Sequence, residues 1–237
     1  EVLTSRRSIR AFSDKPVSQQ TIDDILLDAI ESPSSSNTQP YKIAVAQGES
    51  CKQLGQALLS RYRKINKIQR QPLPVKLVKA MTSNAMPDGD YKPILGKYPG
   101  IFQDRRMATG RGLYKTMGIE RGDKHGRDEQ LARNFTFFDA PVALFIFVHP
   151  GMKFTALVDS GIMMQSLMLA ATSRGLGTCP QGALGMWRSP LEEHFEIPKG
   201  YKLVCGVALG YPKEDEVVND YRPTKLTLSE LMIPSKK

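Results

Sequence analysis

The sequence predicts an α+β fold with α/β/α layering, and three features carry that prediction. Val142 to Val148 sets seven apolar residues in a row, rich in branched and aromatic types, which describes a strand buried on both faces. Thr155 to Arg174 reads as a helix apolar nearly all round, closed by Gly175 as its C-cap. Such a helix must be covered on every side, by the rest of the domain or by another subunit. Tyr41 to Val45 and Lys202 to Leu209 supply further strands, with helical patterns between them. A chain of 237 residues buries roughly 70 to 75% of its unfolded surface in one core. Residues 1–237 are therefore read as a single domain.

The chain opens on Ser5-Arg6-Arg7-Ser8-Ile9-Arg10, where three guanidinium groups and two hydroxyls fall within six residues. Arg offers a planar fork of donors that suits phosphate, and Ser adds a short donor beside it. A solvated basic tail is the plain alternative. Ser18 is the expected N-cap of a half-buried helix in which Ile22, Ile25, Leu26, Ala29 and Ile30 repeat at helical spacing. Pro33 ends it, because the residue before a proline is pushed out of the helical region. The polar run Ser34 to Gln39 leads into the Tyr41 strand, and Ser50 with Gln53 reads as a capping box for a helix running past Leu54, Ala57, Leu58 and Arg61.

From Gln71 to Gly100 the periodicity is lost and prolines intervene at 72, 74, 87, 93 and 99. This stretch is read as part of an irregular, lid-like insertion over about 62–122. Asp123 to Arg133 returns to a helical pattern. After the buried strand and the apolar helix comes a glycine-rich turn, Gly175 to Gly182, then a short helix around Leu184 to Phe195. The tail from Tyr211 onward is polar, with Leu226, Leu228 and Leu231 as anchors.

Composition narrows the function. A net charge of +9 raises nucleic acid as a partner, and a basic domain of that class is one reading of the chain. The excess lies largely in Arg61 to Lys79 and Arg105 to Lys124, where no nucleic-acid-binding motif is visible. A surface that attracts anionic dinucleotides would carry the same charge. Cys51, Cys179 and Cys205 are odd in number and widely spaced, which fits a reducing cytoplasm. The three histidines show no metal-ligand spacing. Ala156 to Ala171 contains Asp159, Gln165 and Ser166 and is too short to span a bilayer, so a soluble protein without membrane contact is expected. No Gly-x-Gly-x-x-Gly follows a strand, and neither a P-loop nor a Gly-x-Ser-x-Gly elbow occurs. Cys179 has no paired histidine in evidence and reads as a packed small residue rather than a nucleophile.

Three stretches, in order and separation, resemble the nitroreductase family of flavin enzymes. Its Arg-x-Ser-x-Arg motif reads here as Arg6-Arg7-Ser8-Ile9-Arg10. Its Pro-Ser-Ser-x-Asn-x-Gln-Pro-aromatic motif reads as Pro33 to Tyr41, with Tyr41 where many members carry Trp. Its glycine-rich turn after a long apolar helix reads as Gly175 to Gly182. The resemblance covers essentially the whole chain and implies a mostly antiparallel mixed sheet flanked by helices in an intertwined homodimer. It implies FMN as cofactor and NADH or NADPH as electron donor. Arg6, Ser8 and Arg10, with Arg7 alongside, would hold the phosphate and ribityl end, while Pro33, Ser34, Ser35 and Asn37 would come from the partner subunit. Pro180, Gln181 and Gly182 would lie along the ring and offer backbone N–H groups to its reactive nitrogen. A further cation near the carboxyl terminus is expected, with Lys225 favoured over Arg222. The implied activity is ping-pong hydride transfer to nitroaromatics, quinones or activated alkenes. Reductive dehalogenation and flavin destruction are alternatives within the same fold.

Overall fold

The computed structural model describes residues 1–92, 94 and 96–236, and the side chains of these other than Ala80 and Met81; Pro93 of the proline-rich stretch lies outside them. In chain order the helices are α1 (Val2–Ser5), α2 (Gln19–Ile30), α3 (Gly48–Gln69), α4 (Leu73–Thr82), α5 (Ile101–Thr116), α6 (Lys124–Ala132), α7 (Lys153–Ser173), α8 (Ser189–Glu192) and α9 (Leu228–Leu231). The strands are β1 (Tyr41–Gln47), β2 (Val142–Val148), β3 (Gly177–Gln181) and β4 (Lys202–Gly210). They form one sheet in the order β1-β2-β4-β3, every neighbouring pair antiparallel. Among the described residues, the mixed character that was expected reduces to one parallel bridge between Ser8 and Thr178.

Layering follows from burial. All seven residues of β2 are buried, as a strand apolar on both sides requires. On one face α2 and α7 pack Ile22, Ile25, Met163 and Leu167 against Val142, Leu144 and Ile146. On the other, α3 and the 137–138 turn pack Leu54, Leu58, Phe137 and Phe138 against Ala143, Phe145 and Phe147. Ser18 caps α2, its Oγ accepting from Thr21 N at 3.1 Å, although Ile30 at the far end is exposed. Asp123 caps α6 through Gly126 N at 2.8 Å.

Three local expectations change. The Ser50–Gln53 capping box does not form, because β1 runs through Gln47 directly into α3, which starts at Gly48 with a left-handed φ of 60°. That φ is why a glycine stands there. The stretch read as irregular contains α4 and α5. Pro72 and Pro74 stand at the start of α4, where a missing N–H costs nothing, and α5 buries no residue, so it leaves no apolar stripe to read. The helix expected around 184–195 is instead a 3-10 turn, Gly182–Met186, and α8, separated by Trp187 in an extended conformation.

α7 is longer than its apolar stretch suggested: with the preceding turn, Pro150–Ser173 is long and apolar enough to cross a membrane by length and composition alone. Here it lies on the sheet with Ala156, Asp159, Met163 and Leu167 buried. Its outer side exposes Phe154, Leu157, Val158 and Ile162.

Candidate functional site

The Arg6–Arg10 segment is no free tail. Ile9, Ala11 and Phe12 are buried, and they pull the segment down beside β3. Ile9 N donates to Thr178 O at 2.9 Å, and Phe12 bridges Pro212. Arg6, Arg7, Ser8 and Arg10 are left half-buried. A residue that sequence reasoning missed completes the anchor. The buried Asn219 carboxamide accepts from Arg10 N at 2.8 Å and Ala11 N at 3.1 Å through Oδ1. Its Nδ2 donates to Ala11 O at 2.8 Å and Lys213 O at 3.2 Å, so the group spends its full bonding capacity on this loop.

β3 lies next to the motif. Burial pushes the Cys179 thiol up to about 11, against the opposing pull of the Arg10 charge, a Ser8 hydrogen bond and the Arg6 charge. Three motif residues therefore act on one strand position. Arg222, on the polar tail, donates to Thr4 O and Ser5 O at 3.5 and 3.4 Å and so lies at the head of the same segment. Lys225 is exposed and makes no hydrogen bond or ion pair with the described residues. Of the two candidate cations, Arg222 is the one that contacts the chain just ahead of Arg6.

At the end of β3, Pro180 pairs with Val207 and Gln181 with Gly206 across β4. Gln181 is buried, its Nε2 donating to Asn134 O at 2.8 Å, whereas Gly182 is exposed and opens the 3-10 turn.

The serine-rich stretch is built differently. Ser35–Asn37 forms a single 3-10 turn in which Ser36 and Asn37 hold left-handed φ values of 50° and 54°. Pro33, Ser35 and Asn37 are exposed and Ser34 is half-buried. The turn is braced by Gln39 N to Ser34 Oγ at 3.0 Å, and tied to the core by Ser35 N to Asp159 Oδ2 at 3.2 Å, Asp159 being a buried acid on α7. No hydrogen bond among the described residues joins this turn to Arg6, Ser8 or Arg10 within the chain.

The Nitroreductase family model matches residues 3–211. The chain belongs to the nitroreductase family. It is 35% identical over 221 residues to the 4-nitrobenzoate reductase of Pseudomonas putida, a match covering 93% of this chain and 88% of that one. It is 32% identical over 211 residues to the 4-nitrobenzoate reductase of Nocardioides sp. strain LMS-CY, covering 89% and 78%. Its fold is similar to the crystal structure of the FMN-dependent nitroreductase NfnB from Mycobacterium smegmatis in complex with NADPH, with a TM-score of 0.85, 26% identity and coverage of 99% and 96%.

This nitroreductase-family chain has a donor set that suits a flavin mononucleotide. Arg7 Nε, Thr178 Oγ1 and Gln181 Oε1 are buried without a hydrogen-bond partner among the described residues, and all three belong to the motif segment or to β3. Buried polar atoms are normally paired. The guanidinium groups of Arg6, Arg10 and Arg222 match a phosphate, and the small polar atoms of β3 match the ribityl chain and ring edges. Among the described residues no cluster of His, Cys, Asp and Glu stands close enough together to hold a metal ion.

Proposed function

We propose that the chain is an FMN-dependent oxidoreductase that takes reducing equivalents from NADH or NADPH and passes them to nitroaromatic compounds, working as a homodimer in the cytoplasm. The observation that carries this reading is that Arg6, Ser8 and Arg10 meet β3, more than 160 residues further along the chain, while Arg222 reaches Thr4 and Ser5 at the head of the same segment. Relatives named for nitrobenzoate reduction support the acceptor class. Quinones and activated alkenes, which also take up hydride, belong to the same proposal.

When bound, FMN supplies the two-electron chemistry, accepting hydride from reduced nicotinamide and delivering electrons to the acceptor. The chain's own residues bind, orient and enclose. Arg6, Ser8, Arg10 and Arg222 hold the phosphate end, each charge-assisted bond contributing roughly 1.5 to 3 kcal/mol. Asn219 fixes the backbone that carries Arg10. Gln181 and Gly182 present backbone N–H groups, and the arm over 62–122 acts as a lid. No separate nicotinamide fold is visible, so donor and acceptor use one face in turn, which makes the kinetics ping-pong.

Three surfaces support pairing of two copies. β1 is the open edge of the sheet, beside a groove of about 560 Å³ lined in part by Leu26, Leu27, Ile30, Ile43 and Met163. On the tail, Leu228, Leu231, Met232 and Ile233 are exposed, as is the outer apolar side of α7. In such a dimer Pro33, Ser34, Ser35 and Asn37 of one chain meet the flavin held by the other.

The test is the visible spectrum of the purified protein, followed by NADPH oxidation with 4-nitrobenzoate at several fixed concentrations. A yellow protein that releases FMN and gives parallel double-reciprocal lines is expected. A colourless protein that does not take up added FMN overturns the reading, and intersecting lines overturn the single-face mechanism.

A further inference from the structure

We infer that the Gln181 carboxamide is a positioning group, tying the flavin-facing turn to Asn134 at the end of an arm, the segment between Ala85 and Asn134 that carries α5 and α6, so that the backbone N–H groups of residues 181 and 182 are placed by how that arm sits. The inference rests on the proposed flavin site and adds a control element to it.

The turn needs such a tether. β3 is an edge strand, so among the described residues Gly206 of β4 alone pairs with Gln181, and the bridge on the other flank lies three residues back at Thr178. Beyond Gln181 the chain leaves the sheet altogether. The side chain then fixes what the ladder does not. Its Nε2 reaches Asn134 O at 2.8 Å and Asn134 Oδ1 at 3.4 Å.

Asn134 is itself firmly held. Asn134 Nδ2 donates to Leu131 O at 3.1 Å, and the neighbouring Phe135 ring stacks on Tyr62 at 4.7 Å and meets Trp187 edge-on at 5.3 Å. The other end of the arm is fastened to the same short stretch of chain. Trp187 Nε1 donates to Ala85 O at 3.1 Å, Gly89 N to Met186 O at 3.0 Å, and Arg188 N to Asp88 Oδ1 at 2.8 Å. A side chain at Gly89 would collide with Gly185 O, which keeps the two backbones in direct contact. Both feet of the arm therefore stand on residues 181–188, and of these contacts the Gln181 bond is the one made where the chain leaves β3. Between the feet lies α5, which buries no residue and is held to the tail by Tyr221 Oη donating to Thr109 O at 2.9 Å and by Arg105 with Glu230.

If Gln181 merely filled space, a methionine of similar length would serve. Two variants separate the roles. Gln181→Met removes the donor and keeps the volume. Gln181→Glu keeps the shape, and can donate to Asn134 O only while its carboxyl is protonated. Burial beside two Asn134 oxygens raises that carboxyl's folded pKa above its unfolded value, so the tether is present at low pH and lost as pH rises.

The expected result is that Gln181→Met still binds FMN but slows reduction of the bound flavin at saturating NADPH by about tenfold, with a shifted flavin midpoint potential. Gln181→Glu approaches wild type at acidic pH and falls to the Gln181→Met level as pH rises. In flavin-free protein, the melting-temperature gap between Gln181→Glu and wild type widens with pH, while the gap for Gln181→Met stays constant. Wild-type rate and potential in Gln181→Met, or no pH-dependent gap for Gln181→Glu, overturns the inference and leaves the proposed function standing. Failure of the wild type to bind FMN overturns the proposed function instead, and the flavin-free melting series then still decides whether the tether exists.

Discussion

The basic segment and the serine-rich turn are both short polar motifs near the amino terminus, yet the fold treats them in opposite ways. Arg6 to Arg10 is threaded between buried Ile9, Ala11 and Phe12, bridged to β3 and clamped by Asn219, so its geometry is complete within one chain. Ser35 to Asn37 stands exposed, left-handed at Ser36 and Asn37, and is held by Ser35 N to Asp159 Oδ2 and by Gln39 to Ser34 and Asn37. Left-handed conformations at non-glycine residues cost about 1 to 3 kcal/mol each and persist where surroundings or function demand them. The contrast is that the chain anchors one motif by its own contacts and displays the other outward, which is what the proposed two-chain site requires.

The largest effect that could break this comparison is loss of the clamp. Asn219→Ala leaves Arg10 N and Ala11 N without their acceptor, and four lost bonds at about 1 kcal/mol each predict a destabilisation of about 3 to 4 kcal/mol with weakened flavin retention. Urea titration reads it, and an unchanged midpoint would mean the segment is held by other contacts. Next is Arg10→Ala, which should weaken FMN by about 2 kcal/mol. Arg70→Ala, removing an ion pair between the residue that follows α3 and Asp128 of α6, should leave flavin affinity as it was. Equal retention in both variants would take Arg10 out of the phosphate site.

A smaller difference sharpens the choice of fourth cation. Arg222→Ala should cost about 1.5 kcal/mol of FMN affinity and Lys225→Ala less than half of that, because only Arg222 reaches α1. Isothermal titration of flavin-free variants decides it. The smallest effect is alkaline. The Cys179 thiol beneath the basic segment is raised by burial from its ordinary value of 9.0 to about 11. A raised folded pKa contributes stability that is fully present below 9 and is lost as pH climbs through 11. Between pH 9 and 10 that loss is about 1 kcal/mol. Cys179→Ala should show a correspondingly shallower alkaline decline in stability.

Legibility in the sequence tracked burial. β2 and α7 were readable because each carries a long apolar pattern, β2 buried on both faces and α7 buried along the side that meets the sheet, and both stand where that pattern put them. α5 was not readable because it buries no residue and so imprints no period. The basic motif could be read as composition, but its anchoring could not. Asn219 and Asn134 act through partners far away in the sequence, 208 and 47 residues off, and an isolated Asn carries no local sign of such a bond. Asp159 left a faint trace as the one acid in an apolar helix. A charge tolerated in that setting needs a partner, here Ser35 N.

The central claim is that two chains complete each site, and subunit complementation tests it most directly. One variant, Arg6→Ala with Arg10→Ala, loses the basic half; the other, Ser34→Ala with Asn37→Ala, loses the displayed half. Each homodimer should fail to hold FMN. When the two are co-expressed, the mixed dimer pairs the intact basic segment of one chain with the intact serine turn of the other. FMN content and nitrobenzoate reduction should then return to about one quarter of the wild-type level, since random pairing makes half the dimers mixed with one good site in each. No recovery in verified mixed dimers would contradict the account, because a site built within one chain cannot be restored by a partner.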